Sequence, residues 1–268
     1  MAYDRILIVG CGNMAGAMLR GWLAAGAPTE RFTIVDPAAR DLPAGVRRLE
    51  QLPAGDGFDA ILLGIKPQML AGVATGVAPL AGRATVVLSI LAGVELDLLR
   101  ELFTQAGGVV RIMPNLAAAL GKSPIAVAEV GLDAEGRAAV MHLLAPLGTP
   151  EWVAEEEFDL VTALAGSGPA FVYRFIDALA AAAGDLGLPP EKARRLALAM
   201  VDGAAALAAS SEHGPGELAR RVASPGGVTQ AGLDALDDGD ALRSLIERTL
   251  RAARDRSAEM AAEARRRG

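Results

Sequence analysis

Ile6-Leu7-Ile8-Val9-Gly10-Cys11-Gly12-Asn13-Met14-Ala15 is the stretch that decides the fold. An unbroken aliphatic run ends in a glycine, and the pattern G-x-G-x-x-A opens a helical sequence directly after it. That is the permitted variant of the dinucleotide fingerprint: Gly10 for the tight turn, Gly12 for close backbone approach to a pyrophosphate, and Ala15 small enough for helix and strand to pack closely. Alone the pattern is weak, because glycine turns are common. Here a strand precedes it and a helix follows it, which is the context the fingerprint requires.

Working outward, the first half alternates short β-rich runs with helical stretches. Strands are expected at Ile6–Gly10, Phe32–Asp36, Ala60–Ile65, Thr85–Ile90, Val109–Met113 and Ile125–Ala128. Several are nearly continuous Val/Ile/Leu, as in strands covered on both faces. Crossover helices are clearest at Met14–Ala25 and Leu96–Gln105. The alternation implies a mostly parallel sheet with helices on both sides. Asp36 lies 26 positions after Gly10. An acid there either binds the ribose hydroxyls, favouring NAD over NADP, or caps the turn before Pro37. Arg40 is close enough to meet a 2′-phosphate, so the two cofactors stay open. Lys66-Pro67-Gln68 and Met113-Pro114-Asn115 follow two further strands, at the carboxyl edge where open sheets bind ligands. A solvated lysine and a turn-capping asparagine are the plain alternatives.

After Trp152 the strand signals nearly vanish. Pro169–Leu186, Pro190–Ser211 and Ala241–Arg265 read as helices, with Gly187 and Pro189-Pro190 as a stop and a restart. The boundary is placed near Trp152–Glu155, giving domains 1–152 and 153–268. Phe171, Phe175, Ile176, Leu179, Ala182 and Ala183 recur at helical spacing and read as a core stripe. The helical half has little polar surface on its middle helices, so its apolar faces are expected to be buried against a second subunit. Two Gly/Pro-rich turns interrupt it, Gly166-Ser167-Gly168-Pro169 and Ser224-Pro225-Gly226-Gly227. Turns of this kind leave backbone N–H groups free at helix starts, ready for an anion such as a carboxylate.

Composition narrows the chemistry. The 268 residues carry a net charge of -6, which argues against a nucleic-acid partner. Cys11 is the single cysteine and there are two histidines, so neither a disulfide framework nor a zinc motif is expected, and no metal is assigned. Met1-Ala2-Tyr3-Asp4 leads straight into strand sequence, and apolar stretches are broken well short of a membrane span. A soluble cytoplasmic enzyme is the expectation. No nucleophile–base pair stands out. Ser167 lacks the G-x-S-x-G elbow because Pro169 occupies its last glycine position, and His213 adjoins Glu212 without facing it.

These residues together resemble the pyrroline-5-carboxylate reductase family over nearly the whole chain. The specific matches are Ala165–Phe171 and the run Val222-Ala223-Ser224-Pro225-Gly226-Gly227-Val228-Thr229, with Asn13-Met14, Lys66-Pro67-Gln68 and Met113-Pro114-Asn115 in support. The resemblance implies an α/β Rossmann-like N-terminal domain with an all-helical C-terminal dimerisation domain, hence a homo-oligomer, a dimer or an assembly of dimers. It implies reduction of 1-pyrroline-5-carboxylate to L-proline by NADPH or NADH. By position it assigns Thr229 as catalytic, its hydroxyl beside the substrate ring nitrogen. Ser224, Gly226, Gly227 and Val228 would hold the substrate carboxylate, Ser167, Gly168 and Pro169 would line the same pocket, and Glu212 falls at the family's acidic position. Gly10, Gly12, Asn13, Met14, Ala15, Asp36, Lys66, Pro67 and Asn115 would serve the cofactor. Leu116-Ala117 stand where the family has Thr-Pro, and Ser123 replaces a common glycine, so the nicotinamide wall is expected to differ locally from the family's.

Two rival readings are weaker. Enzymes of the β-hydroxyacid dehydrogenase type need a lysine and an asparagine where this chain has Val172 and Ile176. A non-catalytic nucleotide sensor would be expected to lose the Ser224–Thr229 run, which is intact. Asp36→Ala is expected to weaken NADH and spare NADPH.

Overall fold

The computed structural model describes residues 3–39, 42–55 and 57–266. Arg40 and Arg267 lie outside them. The strands are β1 (Ile6–Val9), β2 (Phe32–Val35), β3 (Arg47–Leu49), β4 (Ala60–Leu63), β5 (Val86–Ser89), β6 (Gly108–Met113), β7 (Ser123–Val130) and β8 (Gly148–Trp152). They form one sheet in the order β3-β2-β1-β4-β5-β6-β7-β8. Every pairing is parallel except β6 with β7. β1 is flanked by β2 on one side and β4 on the other. The strand order therefore reverses at β1, and a crevice opens outside the carboxyl ends of β1 and β4.

The helices of this part are α1 (Asn13–Ala24), α2 (Leu70–Val77), α3 (Leu96–Leu102), α4 (Ala134–Leu144) and the single turn α5 (Phe158–Val161). They cover the sheet on both faces, which explains strands that are apolar throughout rather than alternating. Ile6, Ile8, Ile34, Leu62, Leu88 and Val110 pack with Met18, Leu19, Trp22, Val140 and Leu144 on one face. Leu7, Val9, Ile61, Leu63, Val87 and Val109 pack with Leu70, Val77, Leu99 and Phe158 on the other. Trp22 stacks on Phe32 at 5.4 Å and donates its indole N–H to the Leu143 carbonyl.

Chain contacts divide the molecule into two units, Met1–Ser167 with Ala252–Gly268, and Gly168–Arg251. The division falls later than the boundary expected near Trp152–Glu155, for two reasons. β8 ends at Trp152, but Phe158 just beyond it is fully buried against the sheet. Arg111, on β6, is also ion-paired to Glu155 at 2.7 Å. The end of the chain belongs to the first unit as well: Ser257 donates to Asp159, and Arg265 pairs with Glu95.

The second unit is helical: α6 (Gly168–Asp185), α7 (Pro190–Ser210), α8 (Pro215–Val222), α9 (Val228–Asp237) and the first part of α10 (Ala241–Arg265). Gly187, at φ +109°, ends α6, and the N–H groups of Gly187 and Leu188 close onto the carbonyls of Gly184 and Ala183. α6 and α7 meet through Ala180, Ala193 and Ala197, with Ile176, Leu179 and Ala183 beside them. The stripe expected as core is therefore only partly covered. Phe175 is 46% and Tyr173 67% exposed, and Leu198 and Met200 on α7 are also exposed. A core made of alanines is too thin to use larger side chains, which are left on the outside. No helix among the described residues is long and apolar enough to cross a membrane.

Candidate functional site

The glycine loop lies at the switch point. Gly10 has φ +83°, and a Cβ there would come within 2.7 Å of the Ile65 side chain and 2.9 Å of the Gly64 backbone. Its N–H bonds the Val35 carbonyl, while Gly64 N–H bonds that of Val9. The loop is thus clamped between the ends of β2 and β4 and needs glycine for both conformation and space. Gly12 is the opposite case. Its φ of −71° suits any residue, and a Cβ would meet nothing within 4 Å. Gly12 N-caps α1 with no side-chain cap, and the first intrahelical bond is Gly16 N–H to the Gly12 carbonyl. The backbone N–H groups of this first turn face outward at the positive end of a helix dipole, an arrangement that suits a pyrophosphate. Asn13 is exposed and Met14 half-buried. Ala15 is 1% exposed, and its Cβ lies 2.8 Å from where a Cβ on Gly64 would be. It serves the site by close packing, not by contact.

Asp36 follows β2. Its Oδ2 accepts from Cys11 N–H at 2.8 Å, and its Oδ1 accepts from the N–H groups of Ala38 and Ala39 at 2.8 and 3.1 Å. The carboxylate both caps its own turn and ties the glycine loop to β2. Burial, with Asp36 second, pushes the Cys11 thiol up from its ordinary range. Lys66 is exposed ahead of a short turn, Pro67–Met69, that leads into α2. Sequence reading passed over Arg48 on the edge strand β3. Its guanidinium donates to the carbonyls of Asp36 and Pro37 at 3.2 and 2.8 Å. The only sequence signal for it is a basic pair twelve residues after Asp36, on a run too short and polar to read as a strand.

Asn115 follows β6 and is buried, 6% exposed. Its backbone N–H donates to the Ser123 hydroxyl at 2.9 Å, its Oδ1 accepts from Ala117 N–H, and its Nδ2 donates to the Ala165 carbonyl at 2.9 Å. The last bond has a cause in the sequence. Gly166-Ser167-Gly168-Pro169 is not the open turn expected. The chain stays helical, as a π-type segment from Thr162 to Gly166 that runs into α6, bridged by Ser167 N–H to the Thr162 carbonyl at 3.0 Å. Pro169 has no N–H to give the carbonyl four residues back, which is Ala165. Asn115 supplies that missing donor. The turn-capping alternative for Asn115 is present in the structure, together with this second bond.

In the second unit, α8 ends at Val222 and a tight turn closes from Gly227 N–H to the Ser224 carbonyl at 2.9 Å, with Gly226 at φ +70°. Gly227 N-caps α9 without a side-chain cap, and the first intrahelical bond is Ala231 N–H to the Gly227 carbonyl. The N–H groups of Val228, Thr229 and Gln230 are therefore free of intrahelical partners, and Val228 is 94% exposed. Ser224 and the Thr229 residue are exposed on the same bend. Glu212 is exposed in the connection between α7 and α8. Gly168 and Pro169 open α6, while Ser167 closes the first unit.

A family model described as pyrroline-5-carboxylate reductase dimerisation matches residues 155–260, and one described as NADP oxidoreductase coenzyme F420-dependent matches residues 5–93. The pyrroline-5-carboxylate reductase of Pseudomonas aeruginosa is 35% identical over 97% of this chain and 98% of its own. Pyrroline-5-carboxylate reductase 2 of Bacillus subtilis is 34% identical over 96% and 95%. Among solved structures, a pyrroline-5-carboxylate reductase from Coxiella burnetii superposes with a TM-score of 0.89 at 27% identity, covering 97% of this chain and 99% of that one. With relatives above 30% identity along almost its full length, the chain belongs to the pyrroline-5-carboxylate reductase family.

Proposed function

We propose that this chain reduces 1-pyrroline-5-carboxylate to L-proline, the last step of proline synthesis, with NADPH or NADH as reductant. The observation that carries the reading is a pair of helix starts, α1 after Gly12 and α9 after Gly227, neither closed by a side chain, in a member of this family. One suits a pyrophosphate and the other a small carboxylate. Gly10, Gly12, Asn13 and Met14 would hold the dinucleotide, Ala15 and Asp36 would shape its loop, and Lys66, Pro67 and Asn115 would line the neighbouring edge. When bound, the reduced nicotinamide supplies the hydride that turns the substrate's C=N carbon into a CH–N centre.

The residues of the chain have a modest chemical task. A protonated cyclic imine keeps its proton on becoming the more basic amine, so no strong general acid is required. The lack of a nucleophile–base pair is consistent with that. Orientation is what the protein must provide, and good alignment contributes roughly 7–11 kcal/mol. Ser224, Gly226, Gly227 and Val228 would hold the carboxylate, chiefly through backbone N–H, and the Thr229 hydroxyl would bond the ring nitrogen. Ser167, Gly168 and Pro169 would line the pocket, with Glu212 near it.

The domain limits 1–152 and 153–268 are kept as functional regions, since the dimerisation match begins at 155. That match, with exposed Tyr173, Phe175, Leu198 and Met200, supports a homo-oligomer. Cytoplasmic placement rests on the lone Cys11, which leaves no disulfide requiring an oxidising compartment. The test is nucleotide oxidation with 1-pyrroline-5-carboxylate against 2-hydroxy and 3-hydroxy acids. Turnover with the imine acid alone is expected, and Thr229→Val is expected to lower kcat while nucleotide affinity holds. No turnover with the imine acid under either nucleotide would overturn the reading.

A further inference from the structure

We propose that Arg48 recognises the 2′-phosphate of the nicotinamide nucleotide and turns this chain's preference toward NADPH. The inference rests on the nucleotide reading above and extends it to the choice between two cofactors. In a fold of this type the adenosine ribose lies at the end of the second strand, and its 2′ position meets whatever stands there. Among the described residues two charged groups do so here, Asp36 and Arg48.

Asp36 is largely committed. Its Oδ1 accepts two backbone N–H groups and its Oδ2 accepts one, from Cys11. With two lone pairs on each oxygen, one acceptor position remains, enough for a single ribose hydroxyl. The three N–H donors also offset part of its charge. Asp36 therefore reads first as a tie between the glycine loop and β2, and less as a free carboxylate posted to repel a phosphate.

Arg48 is positioned and only partly used. β3 pairs with β2 in parallel, with Arg48 opposite Ile34, and its side chain runs forward to the Asp36–Pro37 carbonyls. Those two bonds use Nε and Nη2. Of the five guanidinium N–H donors three remain, on an exposed group fixed at the turn where the 2′ position falls. A planar fork anchored on one side and free on the other is suited to a phosphate, and anchoring in advance lowers the ordering cost of binding.

The test is calorimetric titration of the whole chain with adenosine 2′,5′-bisphosphate and with 5′-AMP, which differ only in the 2′-phosphate. The bisphosphate is expected to bind more tightly. Arg48→Gln should cut bisphosphate affinity by about 10- to 100-fold, the range for a hydrogen bond to a charged group, and change 5′-AMP by less than about twofold. Arg48→Lys, which keeps the charge without the fork, should fall between. Equal binding of the two nucleotides by the unmodified chain, or equal losses of both in Arg48→Gln, overturns the role of Arg48 alone. Failure of the unmodified chain to bind either overturns it together with the nucleotide reading. Asp36→Ala is not a substitute, because it also releases the Cys11 loop; with that bond in view it is expected to weaken both nucleotides, in place of the NADH-selective effect expected from sequence.

Discussion

The same substitution made two residues apart in the glycine loop should have opposite consequences. Gly10→Ala asks a residue with a Cβ to hold φ +83° and to fit a Cβ within 2.7–2.9 Å of Ile65 and the Gly64 backbone. A left-handed non-glycine residue costs about 1–3 kcal/mol. Overpacking against backbone that is clamped by the Gly64–Val9 hydrogen bond adds about 1–3 kcal/mol more. The sum, roughly 2–6 kcal/mol, is a large part of the ~5–15 kcal/mol that holds a typical domain. At a urea slope of about 2 kcal/mol per molar, the middle of the usual range, the unfolding midpoint should fall by about 1–3 M. Gly12→Ala meets neither obstacle. Its backbone is ordinary and its Cβ has open space, so stiffening the chain, worth about 0.4–1 kcal/mol, roughly offsets the poorer N-cap. Its stability should stay within about 1 kcal/mol of the parent. That open space is where the pyrophosphate must approach, so nucleotide affinity should drop by about 10- to 100-fold, the equivalent of 1–3 kcal/mol of crowding. The assay is urea unfolding followed by tryptophan emission, from Trp22 and Trp152 in the same unit, alongside fluorescence titration with NADH and NADPH. A Gly12→Ala variant that binds both nucleotides normally would refute the placement of the dinucleotide, and a Gly10→Ala variant with an unshifted midpoint would refute the clamp.

Three further outcomes can be checked. Asn115→Ala removes the donor to the Ala165 carbonyl and the acceptor for Ala117 N–H, and at about 1–3 kcal/mol for each buried group left unpaired it should destabilise the first unit by several kcal/mol in denaturant unfolding; a change under 1 kcal/mol would show that the Ala165 carbonyl has another partner. Glu155→Gln strands the Arg111 guanidinium, whose side chain is 3% exposed above Phe158. The loss should be about 3 kcal/mol, the low end for a broken buried pair because Glu155 is 30% exposed, and Arg111→Met with Glu155→Gln should recover much of it. Cys11 should react slowly with iodoacetamide at pH 8 and faster as pH rises, because burial first and Asp36 second hold its thiol pKa up. In linkage terms the group's contribution to stability is complete below the unfolded thiol's pKa and is lost as pH rises through the folded one; labelling of the folded chain at the rate of the urea-unfolded chain would contradict the shift.

The structure follows the sequence closely where one strong pattern acts alone, and departs from it where two acted together. β1, β2, β4, β5, β6 and β7 are aliphatic because both sheet faces are covered, and each was readable as a run. β3 was not, because Arg47-Arg48-Leu49 is a short polar edge strand stabilised by pairing with β2. β8 was hidden by Pro150, which suits an edge strand, and β8 is the edge beside β7. In the site, Gly10 and Gly12 were legible individually, but their different reasons for being glycine appear only once Gly64 and Ile65 are in place. Gly166-Ser167-Gly168-Pro169 carries every local mark of a turn. It stays helical because the acceptor that Pro169 leaves unpaired is bonded by Asn115, fifty residues earlier in the chain. A local rule reads the break correctly and cannot see its repair. The reverse holds for Arg48. Its own neighbourhood announces nothing, and it acquires a role only because β3 lies beside β2 and brings it to the turn that Asp36 caps. A residue whose chemistry depends on a register between strands is silent in the sequence until the register is known. That is why the choice of cofactor, left open by Asp36 and Arg40 in the sequence, becomes a question about an arginine twelve positions beyond Asp36.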